Sequence, residues 1–163
     1  VSSAGVRPAE PGDVPAILAL VRELAAYERE PDAVLTTEAE LHAALFPADA
    51  PASAFCHVAV ASSGEVVGLA LWFLTFSTWQ GRHGIWVEDL VVAPQHRGAG
   101  LGRAMLAELA RLAVARGYRR LEWSVLDWNE PAIGFYRALG ARAMDEWTVQ
   151  RLDGPALEAL AQG

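Results

Sequence analysis

Residues 87–103 read VEDLVVAPQHRGAGLGR, and the rest of the chain is best understood outward from this run. An apolar strand carrying the acid pair Glu88–Asp89 leads to Pro94. The loop Arg97-Gly98-Ala99-Gly100-Leu101-Gly102-Arg103 follows, and Leu101, Met105, Leu109, Leu112 and Ala113 then recur on one helical face. Glycines let a backbone approach a ligand closely, and the unpaired N–H groups of a helix start attract anions. The run therefore predicts a phosphate-binding turn between a strand and a helix. A Walker-type loop ends in Gly-Lys-Ser/Thr, whereas Gly102 is followed by Arg103 and Ala104. A dinucleotide fingerprint places glycines first, third and sixth, and the sixth residue from Gly98 is Arg103.

Upstream, Val6 to Pro8 reads as a short strand, and Asp13 as the N-cap of a helix bearing Ile17, Leu18, Val21, Leu24 and Ala25 and ending near Glu28. Thr37 to Glu40 has the pattern of a capping box, opening a second helix that stops by Pro47. Phe55 to Ala61 and Val66 to about Thr75 read as a hairpin around Ser62–Glu65. A turn at Gly81 to Gly84 precedes the strand Ile85 to Val92. Downstream, Gly117 closes the long helix, and Leu121 to Leu126 is a strand. Glu130 to Leu139 is a helix ended by Gly140, Glu146 to Leu152 is a last strand, and Pro155 to Ala161 is a helical turn. This order mixes hairpins with one crossover, so a mixed, mostly antiparallel α/β sheet flanked by helices is expected.

At 163 residues the chain reads as one domain, residues 1–163, with its core at about 6–152. It contains no apolar run long enough to span a membrane, and its N-terminus, VSSAGVRPAEPGD, has no apolar signal region. The single Cys56 lies in an apolar strand and reads as core, which fits a reducing, cytoplasmic setting. His42, His57, His83 and His96 lack metal-ligand spacing, so no metal is expected. A net charge of −7 argues against nucleic acid as partner and fits a cationic substrate equally well as ordinary solubility.

The Arg-x-x-Gly-x-Gly pattern of Arg97 to Gly102 resembles the pyrophosphate loop of the Gcn5-related N-acetyltransferases. The resemblance implies acetyl-CoA as donor, its diphosphate cradled by Gly98, Ala99, Gly100, Leu101, Gly102 and Arg103 beside Arg97. Acetyl transfer to an amine needs a neutral amine, support for the oxyanion and a proton for the thiolate. An alkylammonium of pKa about 10.4 must first be deprotonated, at a cost of about 4–5 kcal/mol at pH 7. Glu88 is the candidate to hold the cation and take its proton, and strict alternation points Glu88 and Asp89 to opposite faces. Tyr136, whose phenol lies about 1.5 pKa units above a thiol, can protonate the thiolate, although its helical position also suits a core aromatic. Asn129 stands where its amide either caps a helix or contacts a ligand.

Asn129-Glu130-Pro131, Phe135-Tyr136 and Leu139-Gly140-Ala141 resemble the diamine (spermidine/spermine) branch of that superfamily. Ser77-Thr78-Trp79, Gly81-Arg82 and Val125 to Asn129 are similar to its thialysine N-epsilon-acetyltransferase members, and Tyr27-Glu28 also matches. The branch implies Tyr136 as general acid and Glu88 as amine-side residue. It implies pantetheine binding by Leu90, Val91 and Val92, and CoA contacts from Asn129, Glu130, Pro131 and Ala132. Tyr27, Glu28, Trp79, Glu122, Trp123 and Ser124 match substrate positions, and a homodimer is implied. Trp72 and Trp86 read as packing residues. Polyamine enzymes carry an aspartate where this chain has Ser77, and the stretch Met144 to Trp147 is shorter, which shifts weight toward a shorter, lysine-like amine. A protein or peptide acceptor and a non-catalytic acyl-CoA-binding module are the alternatives.

Overall fold

A computed structural model of the chain describes residues 5–162. They fall into two compact units, Val1–Ser124 and Val125–Gly163. The first holds β1 (Gly5–Pro8), α1 (Val14–Tyr27), α2 (Glu38–Leu45), β2 (Phe55–Val60), β3 (Val66–Ser77), β4 (Arg82–Val92), α3 (Leu101–Ala115) and β5 (Leu121–Trp123). The second holds α4 (Glu130–Ala138) and α5 (Gly154–Gln162).

The sheet of the first unit runs in sequence order, β1-β2-β3-β4-β5. The first four strands are antiparallel neighbours, and β5 lies parallel to β4 after the α3 crossover. This is the mixed, mostly antiparallel α/β sheet the sequence predicts. Alternation gives it two apolar faces. One carries Cys56, Val58, Leu69, Leu71 and Val91 against Val14, Ile17, Leu18 of α1 and Leu41, Leu45 of α2. On the other, Gly68 faces α3, whose Met105 and Leu109 are completely buried. Trp72 lies on a row with Val87 by register, stacks on Phe55 and donates its indole N–H to Nδ1 of His57 at 3.1 Å. Burial lowers the His57 pKa, in keeping with a neutral ring that accepts this bond.

Local chemistry explains the helix ends. Thr37 and Glu40 form the expected capping box, each side chain satisfying the other's backbone N–H. Asp13, expected to cap α1, does not. It is drawn into an ion pair with Arg7, 2.6 Å apart, and accepts the Glu10 N–H at 2.8 Å, closing the 3-10 turn Pro11–Asp13 instead. Gly117 and Gly140 terminate α3 and α4 in left-handed conformation, each helix finishing in a pair of reverse hydrogen bonds. The same motif ends α1, but the left-handed residue is Arg29, at φ 68.

Four expectations are corrected. β4 begins at Arg82, because the turn closes earlier, through the Gly81 N–H to the Ser77 carbonyl and the Gln80 N–H to the Ser77 hydroxyl. β5 stops at Trp123 rather than Leu126, its pairing with β4 ending there. The expected strand at Glu146–Leu152 does not form; the backbone from 141 to 153 has no strand partner among the described residues, and an unpaired strand leaves its N–H and C=O groups to solvent. The terminal turn extends to the full helix α5.

Gly68 sits where β3 passes closest to its neighbours. A Cβ there meets the Val91 carbonyl at 2.8 Å and Ala59 and Met105 at 3.3 Å each. Gly68→Ala is therefore expected to destabilise the protein by about 1–3 kcal/mol, since backbone rather than a flexible tip must yield. Urea unfolding should show a lower midpoint at unchanged slope; an unchanged midpoint contradicts the packing described.

Candidate active site

β4 carries the acid pair and delivers the glycine loop. Its pairing with β3 slips between Leu71 and Trp72: Leu71 opposes Asp89 and Trp72 opposes Val87, leaving Glu88 as the extra residue of a β-bulge. The bulge breaks the alternation that predicts opposite faces for Glu88 and Asp89. Glu88 is exposed, and its Oε2 accepts the indole N–H of Trp86 at 2.9 Å. Trp86, read as a packing residue, thus also orients the candidate amine-side carboxylate. The i, i+2 spacing of the two residues on one strand is the sequence signal for this contact.

Asp89 lies on the row Cys56–Leu71–Asp89, on the face covered by α1 and α2. Burial, then the neighbouring charges of Glu88 and Glu28, push its pKa up to about 6. Glu28, at the end of α1, is also raised by burial. The charges of Glu88 and Glu28 thus act on a partly desolvated Asp89, an environment that favours a cationic guest. Glu122 is the register partner of Trp86 and pairs with Arg120 at 3.5 Å. Trp123 falls on the alternate row beside Val87, so the predicted substrate residues Glu122 and Trp123 do not share a face. Ser124 is exposed, and Trp79, at the tip of the β3–β4 hairpin, is 90% exposed.

Beyond Val87, β4 continues through Leu90, Val91 and Val92 with no strand on the β5 side among the described residues. The chain then turns at Pro94–His96 and enters the loop. Gly98 and Gly100 take φ of +80 and +79, and the space that a side chain would enter at either position is open to at least 4 Å. Glycine is required there by backbone conformation rather than by crowding. Gly100 is the N-cap of α3 and supplies no side-chain cap. The first hydrogen bond of the helix runs from the Ala104 N–H to the Gly100 carbonyl at 2.9 Å. The six N–H groups from Gly98 to Arg103 consequently have no acceptor among the described residues. The positive end of a 15-residue helix lies behind them, an arrangement suited to an anion.

Arg97 turns away from this row. Its Nε donates to the Val92 carbonyl at 3.0 Å, and its guanidinium lies 5.4 Å from the centre of the Tyr27 ring. Tyr27 closes α1 next to Glu28, so the amine-side and loop-side predictions meet at this contact.

In the second unit, Asn129 caps α4: its Oδ1 accepts the Ala132 N–H at 3.3 Å, with Glu130 and Pro131 in the first turn. The Asn129 side chain thus takes a capping role. Tyr136 lies on α4, half-buried, with its ring 5.3 Å from that of Phe135. Among the described residues no group of His, Cys, Asp and Glu is arranged to hold a metal ion, and no helix is long and apolar enough to cross a membrane. Cys56 is buried, its thiol pushed up to about 12, which makes it a poor nucleophile.

The raised Asp89 has a thermodynamic consequence. Its folded pKa of about 6 lies above an unfolded value of about 3.9, so between these values the folded chain holds a proton that the unfolded chain has lost. That contribution to stability is present in full below pH ~4 and lost as pH rises through ~6. Asp89→Asn, which never ionises, should gain in melting temperature relative to the parent as pH is raised from 4 to 7. A difference between the two that does not change with pH contradicts the buried, ionising carboxyl.

Comparison with known proteins agrees with this geometry. The acetyltransferase (GNAT) family profile matches residues 18–141. The bovine thialysine N-epsilon-acetyltransferase is 39% identical over 168 residues, covering 96% of each chain. An L-ornithine N5-acetyltransferase of Arabidopsis thaliana is 38% identical over 95 residues, 58% of this chain and 42% of that protein. Among solved structures, an integron cassette protein from the mobile metagenome of V. cholerae superposes with a TM-score of 0.81 over the whole of both chains at 23% identity, a likeness of fold. The matched span includes β4, the glycine loop and α3, and the chain is a member of the GNAT family of N-acetyltransferases.

Proposed function

We propose that the protein transfers an acetyl group from acetyl-CoA to the primary amine of a small, lysine-like or diamine substrate, by direct attack in a ternary complex. The observation that carries the donor half is the row of six unpartnered N–H groups from Gly98 to Arg103, suited to a diphosphate. Leu90, Val91 and Val92, on the stretch of β4 that β5 does not cover, supply backbone for the pantetheine arm. Asn129, Glu130, Pro131 and Ala132 are the further CoA contacts in this reading. Support for the acceptor half comes from the charges of Glu88 and Glu28 acting on the partly buried Asp89, and from near-full-length similarity to thialysine acetyltransferases. Tyr27, Glu122, Trp123, Ser124 and Trp79 are assigned to the acceptor side, with Ser77 tied into the hairpin turn rather than offered to a long polycation.

In the reaction, Glu88 receives the ammonium and takes one proton, directly or through water. The amine nitrogen attacks the thioester carbonyl carbon, and collapse of the tetrahedral intermediate breaks the C–S bond. Tyr136 gives its phenolic proton to the departing thiolate, and the proton released from nitrogen returns the tyrosine to its neutral form. The chain works as one GNAT domain in a reducing, cytoplasmic compartment, which a single buried cysteine suits. A homodimer fits the unpaired segment 141–153, where Trp147 and Val149 alternate and are 69% and 79% exposed. Sedimentation should then give about twice the 17.5 kDa chain mass; a monomer at micromolar concentration contradicts it.

The test is thiol release over a panel of lysine analogues, ornithine, diamines, polyamines, aminoglycosides and peptides. The thirteen basic residues are all arginine, so acetylation found by mass on any added amine has no lysine side chain of the enzyme to compete with. Small lysine-like amines are expected to turn over best. Tyr136→Phe should lower kcat roughly 10²-fold and Glu88→Gln should lower kcat/KM for the amine by a similar factor. Full turnover in both variants contradicts the roles assigned, and a preference for peptides or a complete lack of turnover with CoA bound favours the protein-acceptor or binding-module reading.

A further inference from the structure

Arg97 opens the glycine loop and is the residue of the pattern most readily taken for a phosphate ligand. Its side chain is engaged elsewhere. The Arg97 Nε donates to the Val92 carbonyl at 3.0 Å, and its Cζ lies over the Tyr27 ring, 5.4 Å from the centroid. The Arg97 N–H itself reaches the Pro94 carbonyl at 3.3 Å. Arg97 and Tyr27 line one cleft of about 300 Å³, together with Glu23 and Leu24 of α1 and Val91 and Pro94 beyond it. The loop that follows has little else to fix it: Gly98, Ala99 and Gly100 are exposed, and nothing packs within 4 Å of where a Cβ would stand on either glycine.

We propose that Arg97 is a positioning residue, a strut that ties the root of the diphosphate loop to the last turn of α1, so that affinity for the donor depends on Tyr27. The inference rests on the donor-loop reading above. Its physical content is that a guanidinium can donate its Nε–H to a strand end while its charge sits over an aromatic ring. A lysine supplies neither the Nε–H donor nor the flat face. The contact joins a residue assigned to the acceptor side to the loop assigned to the donor, giving the two sites a physical connection through one side chain. Ordering of the α1 end by an amine is then expected to tighten the loop, and the reverse by linkage.

Titration calorimetry with CoA tests this without turnover. Tyr27→Leu, at an exposed helix end, is expected to weaken CoA binding about two- to five-fold, the worth of a solvent-exposed cation–π contact. Tyr27→Phe, which keeps the ring, should hold the CoA Kd near the parent value. Arg97→Lys should weaken binding to at least the same extent, and adding Tyr27→Leu to it should weaken binding no further. An unchanged Kd in Tyr27→Leu, or losses that add in the double variant, overturns the strut and makes Arg97 a phosphate ligand independent of Tyr27. If Tyr27→Leu does not fold, the Arg97→Lys and Tyr27→Phe pair decides: a loss of affinity in Tyr27→Phe equal to that in Arg97→Lys overturns the stacking role. Failure of the parent protein to bind CoA at all overturns the donor reading together with the strut.

Discussion

Six successive backbone N–H groups without an acceptor are a demand that the rest of the first unit is organised to sustain. Burying such groups is costly, and exposing them in a fixed row takes backbone that most residues resist. Gly98 and Gly100 provide it with positive φ, and Gly100 leaves the start of α3 uncapped. The helix behind them is held by Met105 and Leu109, both completely buried against the sheet. Its far end is closed by Gly117, which returns the chain to β5 beside β4. Packing along the first half of α3 thus fixes the end that Gly100 leaves uncapped.

β4 has the opposite task on its α1 side, where an acid is kept partly out of water. Asp89 occupies a row whose other members, Cys56 and Leu71, pack in the apolar core. Its raised pKa measures the cost of that location, and an arriving cation reduces the cost. The bulge at Glu88 frees a second carboxylate from the ladder, and the Trp86 indole holds it. One strand therefore carries both the bulge and the glycine loop to which the proposed acceptor and donor halves are assigned. Family membership gives the reaction type; the carboxylates argue for the charge of the acceptor.

Where a structural signal is local, it is legible in the sequence. The capping box at Thr37–Glu40, the glycines that end α3 and α4, and the hairpin between β2 and β3 follow from residues a few positions apart. The left-handed glycines before α3 are legible for the same reason. Asp13 departs from its expected role because Arg7, six residues away and on β1, competes for the carboxylate that the helix end needs. Nothing in the sequence marks Arg29 for a left-handed conformation, since only glycine announces one. The bulge at Glu88 depends on register with β3, and no window of β4 alone contains it. The strand expected at Glu146–Leu152 has the alternation of a strand and no partner among the described residues, and pairing is a property of two segments. The Arg97–Tyr27 contact joins residues seventy positions apart and lies beyond any local reading.

The central claim, that the loop from Gly98 to Arg103 holds the donor through its backbone, is tested most directly by amide resonances. In a heteronuclear NMR titration with CoA, the amide signals of Gly98 to Arg103 should show the largest shifts, moving downfield as they gain phosphate acceptors. Saturating CoA that leaves these six signals in place, while shifting others, contradicts the account.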